Sequence, residues 1–194
     1  MSSRTFKSLA VAGAMAAVAA AAPTVAGASP ESASTTWINR QLTPSSTVLA
    51  KCMPHARVNV SVGLTTDAIG YDTFRVRASG LPKNTAFTVF LLEKAASPFG
   101  AAEYIGDFTS NSHGVASNEF RLIVAEAFSS TLVGTTTLVG TTRVRKELNQ
   151  IGAWFADEKA DDFCLGRNSP VTPFDGDNAA GVQAFNSANA RPLP

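Results

Sequence analysis

Few residues in this chain are equipped for chemistry, and several of them gather around one cysteine. Cys164 is the second residue of the stretch FCLGRNSPVTPFDGDNAAG, residues 163–181, in which two X-Pro turns lead into Asp175, Asp177 and Asn178. Those three offer hard oxygen ligands of the kind calcium prefers, with Asp157, Asp161 and Asp162 near enough in sequence to join them. The loop lacks the alternating ligands and terminal Glu of a helix–loop–helix calcium site. Asp-Gly turn chemistry with solvated carboxylates is therefore the stronger reading, and no other cofactor is expected. His55 and His113 are the only histidines, and no zinc-ligand spacing accompanies them. A serine hydrolase needs a serine, a base and an orienting carboxylate. Here the Gly-x-Ser-x-Gly elbow is missing and Ser112-His113 falls in a turn signal, so no catalytic residue is assigned. The alternative is a secreted hydrolase with two facing carboxylates, drawn from Glu93, Glu103, Asp107, Glu119 and Glu126.

Arginine supplies the other candidate chemistry. Arg75, Arg77, Arg121, Arg143 and Arg145 fall at alternate positions of strand-like segments, so several are expected on a common sheet face. Such a face can hold an acidic glycan or protein through bidentate guanidinium contacts. The competing reading is arginine stems that merely cover the outside of a sheet. Trp154 and Phe155 point to opposite faces if extended. One is expected in the core and the other, taken as Trp154, on a sugar- or protein-binding surface with Arg75, Arg77 and Arg121.

The compartment follows from the N-terminus. Arg4 and Lys7 precede the small and apolar run Leu9–Ala22, and Ala26-Gly27-Ala28 offers the small residues a signal peptidase reads. Residues 1–28 are thus expected to be a cleaved signal peptide, because a run of about 14 residues is short for a membrane span. The mature chain is expected to be secreted, with no membrane span. It keeps 14 basic and 15 acidic residues, a balance that argues against a nucleic-acid binder. Export makes Cys52 and Cys164 a disulfide, the only pairing two cysteines allow. It closes a loop of about 110 residues, for which chain entropy suggests roughly 4–5 kcal/mol.

The elements that must position these groups read as short strands. Residues 29–43 are expected to form a flexible linker, and 44–190 a single antiparallel, Ig-like β-sandwich domain. Val58, Val60 and Val62 alternate with polar residues, as do Phe74, Val76 and Ala78 with Arg75 and Arg77. Gly80–Asn84 reads as a turn, Thr85–Leu92 as a central strand and Ser110–Gly114 as a hairpin turn. A last strand is expected near Gly181–Ser187. Residues 157–163 have the makings of one helical turn. Thr131–Thr136 recurs identically as Thr137–Thr142, and two copies are too few for a solenoid. That duplication reads as a loop or edge hairpin.

Leu81-Pro82-Lys83-Asn84-Thr85-Ala86-Phe87-Thr88-Val89 resembles the corner of fibronectin type III and Ig-like sandwiches, with Phe87 in place of the corner tyrosine. Lacking that hydroxyl, Phe87 cannot make the corner hydrogen bond, so the resemblance speaks for topology alone. Gly80-Leu81-Pro82, Pro98-Phe99-Gly100, Tyr104-Ile105-Gly106-Asp107, Trp154-Phe155, Val171–Asp177 and Ala180–Gln183 together resemble the landmarks of a group of exported actinobacterial proteins of unassigned activity. That resemblance implies an exported β-sandwich and supplies no catalytic residue. The expected function is a non-catalytic binding or structural module of the cell envelope or extracellular space, with a glycan or protein partner.

Overall fold

The computed structural model describes residues 35–124, 128–133, 142–174 and 178–194. In chain order the elements are β1 (Thr36–Pro44), α1 (Thr47–Cys52), β2 (Arg57–Leu64), α2 (Thr66–Ile69), β3 (Asp72–Ser79), β4 (Ala86–Leu92) and β5 (Ala102–Thr109). There follow β6 (Ala116–Leu122), β7 (Phe128–Val133), β8 (Thr142–Glu147), β9 (Gln150–Phe155), α3 (Asp162–Leu165), β10 (Thr172–Phe174), β11 (Asn178–Ala180) and β12 (Gln183–Asn186). Eight strands form one sheet in the order β5-β4-β9-β12-β1-β2-β3-β6, and every pairing is antiparallel. The pairs β10–β11 and β7–β8 stand apart as two-stranded sheets.

The alternation of residue types decides which face turns inward. Val58, Val60 and Val62 of β2 are fully buried while Arg57 and Asn59 face outward; β3 buries Phe74, Val76 and Ala78 and leaves Arg77 and Ser79 exposed. The large sheet bends where β1 meets β12 through Thr43↔Asn186 and Pro44↔Phe185. Its free edges approach each other: the Asn118 amide donates to the Asp107 carbonyl (2.6 Å), and the Phe120 ring lies against Gly106. The result is an all-β antiparallel sandwich that nearly closes into a barrel. One core joins the two layers, with Phe87, Phe108, Ile151, Phe155 and Phe185 packed against Val58, Val60, Val62, Phe74 and Val76. Phe87 sits at its centre, 5.1 Å from the rings of both Phe108 and Phe155.

Several expectations need correction. Residues 36–43 are not linker but most of β1, paired with β2 from Thr36↔Leu64 to Leu42↔Val58. Apolar alternation fails to mark this strand because its inward series, Ile38-Arg40-Leu42, contains a cation. The Arg40 guanidinium is satisfied by the carbonyls of Asn39, Arg191 and Pro192. The fold also extends past residue 190, since Leu193 is buried and donates its N–H to the Asn149 carbonyl. The Ser110–Gly114 turn does reverse the chain, with Gly114 N–H donating to Asn111, but the flanking β5 and β6 form opposite edges of the sheet rather than a hairpin ladder.

The Gly80–Asn84 turn forms as expected, with φ of +68° at Gly80 and +51° at Asn84. Only glycine fits at residue 80, because a Cβ there would stand 2.2 Å from the His55 carbonyl oxygen. Buried Ser110 takes over the tie that Phe87 cannot make. Its hydroxyl accepts from Thr85 N–H and donates to the Pro82 carbonyl. Of the duplicated hexapeptide, Thr131–Val133 ends β7 and Thr142 begins β8, while residues 134–141 lie outside the described residues.

The Cys52–Cys164 disulfide is formed, and it joins the last residue of α1 to α3. The helical turn expected at 157–163 lies slightly later, at Asp162–Leu165. From there the chain passes through β10 and β11 and enters the sheet as β12, within the span expected for the last strand.

Candidate functional site

The outward residues of β1, β2, β3 and β6 form one continuous face, and strand register places each of them. Trp37 lies opposite Gly63, which pairs with Thr73, which pairs with Arg121. One same-face step along, Asn39, Ser61, Arg75 and Glu119 form the next row; Gln41, Asn59, Arg77 and Ser117 form the third. Arg57 and Ser79 follow. Four guanidiniums and a single carboxylate, Glu119, occupy these positions.

Trp37 is the aromatic of this face. It keeps 40% of its surface exposed. Its indole lies across Gly63, where a Cβ would come within 3.0 Å of the ring. The Arg75 guanidinium sits 4.5 Å from the ring centroid, and its Nε donates to Glu119 at 2.7 Å. Cation–π stacking and the ion pair together hold Arg75 in one orientation over a face of the indole, and the rest of Trp37 stays open to solvent. Arg121 stacks in the same way over Tyr71, 4.9 Å away.

Arg57 and Arg77 behave differently. They occupy diagonal positions on β2 and β3, and with Asn59, Ser79, Val115 and Ser117 they line a shallow groove of about 480 Å³. Arg57 donates one hydrogen bond, to the Ala56 carbonyl, while Arg77 makes no ion pair or hydrogen bond among the described residues. A second groove, of about 580 Å³, runs between β1 and residues 191–194, bordered by Trp37 and Arg40. Neither groove is lined by an acidic side chain.

Of the expected binding residues, Arg75, Arg77 and Arg121 are brought together on this face. Trp154 is not. It does point away from Phe155, but it is only 1% exposed. Phe90 and Phe99 meet its ring edge-on at 5.4 and 5.0 Å, and with Leu92 and Ala180 they form a second small core on the outside of the other layer. The exposed tryptophan of this face is Trp37, which pattern reading does not reach because its strand lacks apolar alternation. Arg57 and Tyr71 were missed as well. The signal that reaches Arg57 is its parity with Asn59 and Ser61, opposite to the buried valines. Arg143 and Arg145 belong to β8, in a separate sheet, where Arg145 pairs with Glu147 at 2.6 Å.

The acidic candidates are dispersed. Asp175 and Asp177 lie outside the described residues, and Asn178 is described only as the first residue of β11. Asp161 is fully buried, accepting from the Ser169 hydroxyl (2.6 Å) and from Val182 N–H (2.8 Å), which ties the loop after α3 to the entry of β12. Asp157 accepts from Lys159 N–H in a tight turn. Among the described residues no three His, Cys, Asp or Glu side chains come together as a metal-ligand set.

Three of the proposed hydrolase acids have partners of their own. Glu119 pairs with Arg75, Asp107 accepts from the Tyr104 hydroxyl, and Glu93 pairs with Lys146 at 3.2 Å. The Ala101 N–H and Lys146 hold the Glu93 carboxyl below its usual range, the direction opposite to that of a general acid. Glu126 lies outside the described residues.

No protein-family model matches the chain, and no curated protein matches it at a significant level.

Proposed function

We propose that this protein is an exported, non-catalytic binding module whose ligand surface is the outer face of β1, β2, β3 and β6, and whose ligand is a cell-envelope or extracellular glycan. The observation that carries the reading is the Trp37–Arg75–Glu119 cluster, in which the guanidinium both stacks on the indole and pairs with the acid. With a guanidinium over one face and Gly63 against its six-membered ring, the indole is held in one orientation, and its exposed remainder is a preorganised contact for the apolar face of a sugar ring. Asn39 and Ser61 in the next row, and Asn59 farther along the face, supply donors and acceptors for hydroxyl groups. The disulfide is compatible with an oxidising compartment, and among the described residues no helix is long and apolar enough to cross a membrane.

The test is a binding screen of the mature chain, from Ser29 onward, against a glycan array and isolated cell-wall polysaccharide. Trp37→Ala is expected to weaken capture about tenfold, as loss of an aromatic contact does, while Trp37→Phe keeps most of it. Unchanged capture by Trp37→Ala contradicts the reading. So does a screen in which the face retains only proteins.

A further inference from the structure

We infer that the Arg57–Arg77 groove is an anion subsite of this face, and that the glycan it takes is acidic, presenting a carboxylate or ester sulfate to the two guanidiniums. The inference rests on the glycan-binding reading above and narrows it.

Like charges at neighbouring same-face positions of a sheet repel. Arg75 and Arg77 are two residues apart on β3, and Arg57 stands diagonal to Arg77 on β2, so three guanidiniums crowd one patch. Only Arg75 has an acid to answer it. The groove lining holds Asn59, Ser79 and Ser117 but no carboxylate, and Val115, 45% exposed, forms an apolar side. A fold optimised for stability alone would place an acid across from Arg77, as it does for Arg75 at Glu119; at Arg77 the partners are Asn59 and Ser117. A guanidinium fork without an internal partner, flanked by hydrogen-bonding side chains, matches a planar carboxylate or a sulfate.

Spacing ties the groove to the platform. From the Gly63 row to the Asn59 row is four residues of β2, about 13 Å along the strand. A linear polysaccharide lying along the strands therefore spans both, with one ring on Trp37 and an acidic group in the groove.

The probes are dextran and dextran sulfate, which share a backbone and differ in charge, with polygalacturonate as the carboxylate arm. Wild-type protein is expected to prefer one or both acidic polymers to dextran by at least tenfold at 0.1 M salt, and to lose most of that preference at 1 M, where the Debye length falls from about 10 to about 3 Å. The double variant Arg57→Gln/Arg77→Gln is expected to lose the preference roughly tenfold or more. It should still bind dextran or a neutral glycan from the array, and its melting temperature should be unchanged or raised, since repulsion is relieved. Lys51→Gln/Lys83→Gln makes the same charge change at exposed positions outside the groove and is expected to retain the preference.

A wild-type protein that binds neutral and acidic polymers equally overturns the inference, as does a groove variant that keeps the preference or a lysine control that loses it equally. All three results leave the glycan-binding reading standing. That broader reading fails separately, if no glycan of any charge is bound or if binding is independent of Trp37.

Discussion

Serine at both Cys52 and Cys164 is expected to lower the unfolding free energy by about 4–5 kcal/mol, the largest effect of any change considered. The bridge spans 112 residues and its ends sit on two short helical segments, α1 and α3, of six and four residues. Isolated helices this short are not stable by themselves. The disulfide therefore restricts the unfolded chain through a long loop and also ties together two elements too short to be helical alone. Against a typical domain stability of about 5–15 kcal/mol, the loss is a large fraction of the total. Urea unfolding of the double variant should show the midpoint falling accordingly, and wild-type protein unfolded under reducing conditions should match it. A loss below about 1 kcal/mol would show that the covalent link adds little to what the sheet already holds.

The second large effect is expected at Asp72. Its side chain is 1% exposed, yet it is fully occupied. One carboxylate oxygen accepts from the N–H groups of Thr65 (2.8 Å) and Thr66 (2.9 Å), the other from Val124 N–H (2.8 Å). This carboxylate thereby holds the start of α2 and Val124, two residues after β6, to the first residue of β3. Asp72→Ala leaves three backbone donors without their acceptor, a cost of about 3 kcal/mol.

Burial alone would raise the Asp72 carboxyl, but hydrogen bonds from Thr65, Thr66 and Val124 outweigh it and hold the group below its ordinary value. Stability from a lowered carboxyl is present above the unfolded-state value, near 4, and is lost as pH falls through the folded-state value. Wild-type protein should accordingly lose stability below about pH 4, and Asp72→Asn should lack this contribution to the acid slope. Parallel acid unfolding curves for the two proteins would contradict the assignment.

Much of the fold is readable in the sequence because β2 and β3 alternate strictly: each inward position is Val, Phe or Ala from Val58 to Val62 and from Phe74 to Ala78, and each outward one is polar or glycine. The disulfide is readable from cysteine number and the export signature together. Residues whose partners lie far away are not readable. Arg40 points inward because carbonyls about 150 positions later receive it, so β1 looks like linker. Trp154 looks like a surface aromatic because only the tertiary fold lays Phe99 and Ala180 over it.

The proposed binding face is half legible for the same reason. Arg75, Arg77 and Arg121 announce themselves by parity, whereas Trp37 acquires meaning only once Gly63 is known to lie beneath it. Local alternation is a property of a few neighbouring residues; the choice of strand partners is a property of the whole chain.

The two tryptophans give the most direct measurement. In an ¹⁵N-labelled mature protein the indole N–H signals of Trp37 and Trp154 are separate reporters, one on the proposed face and one buried beneath Phe99. Titration with the polysaccharide that binds best in the screen should shift the Trp37 indole and the backbone signals of Asn59, Arg75 and Arg77, and leave the Trp154 indole in place. Saturable shifts confined to another surface, such as the exposed Val48 and Phe163 near the disulfide, with the Trp37 indole unmoved, would contradict the account.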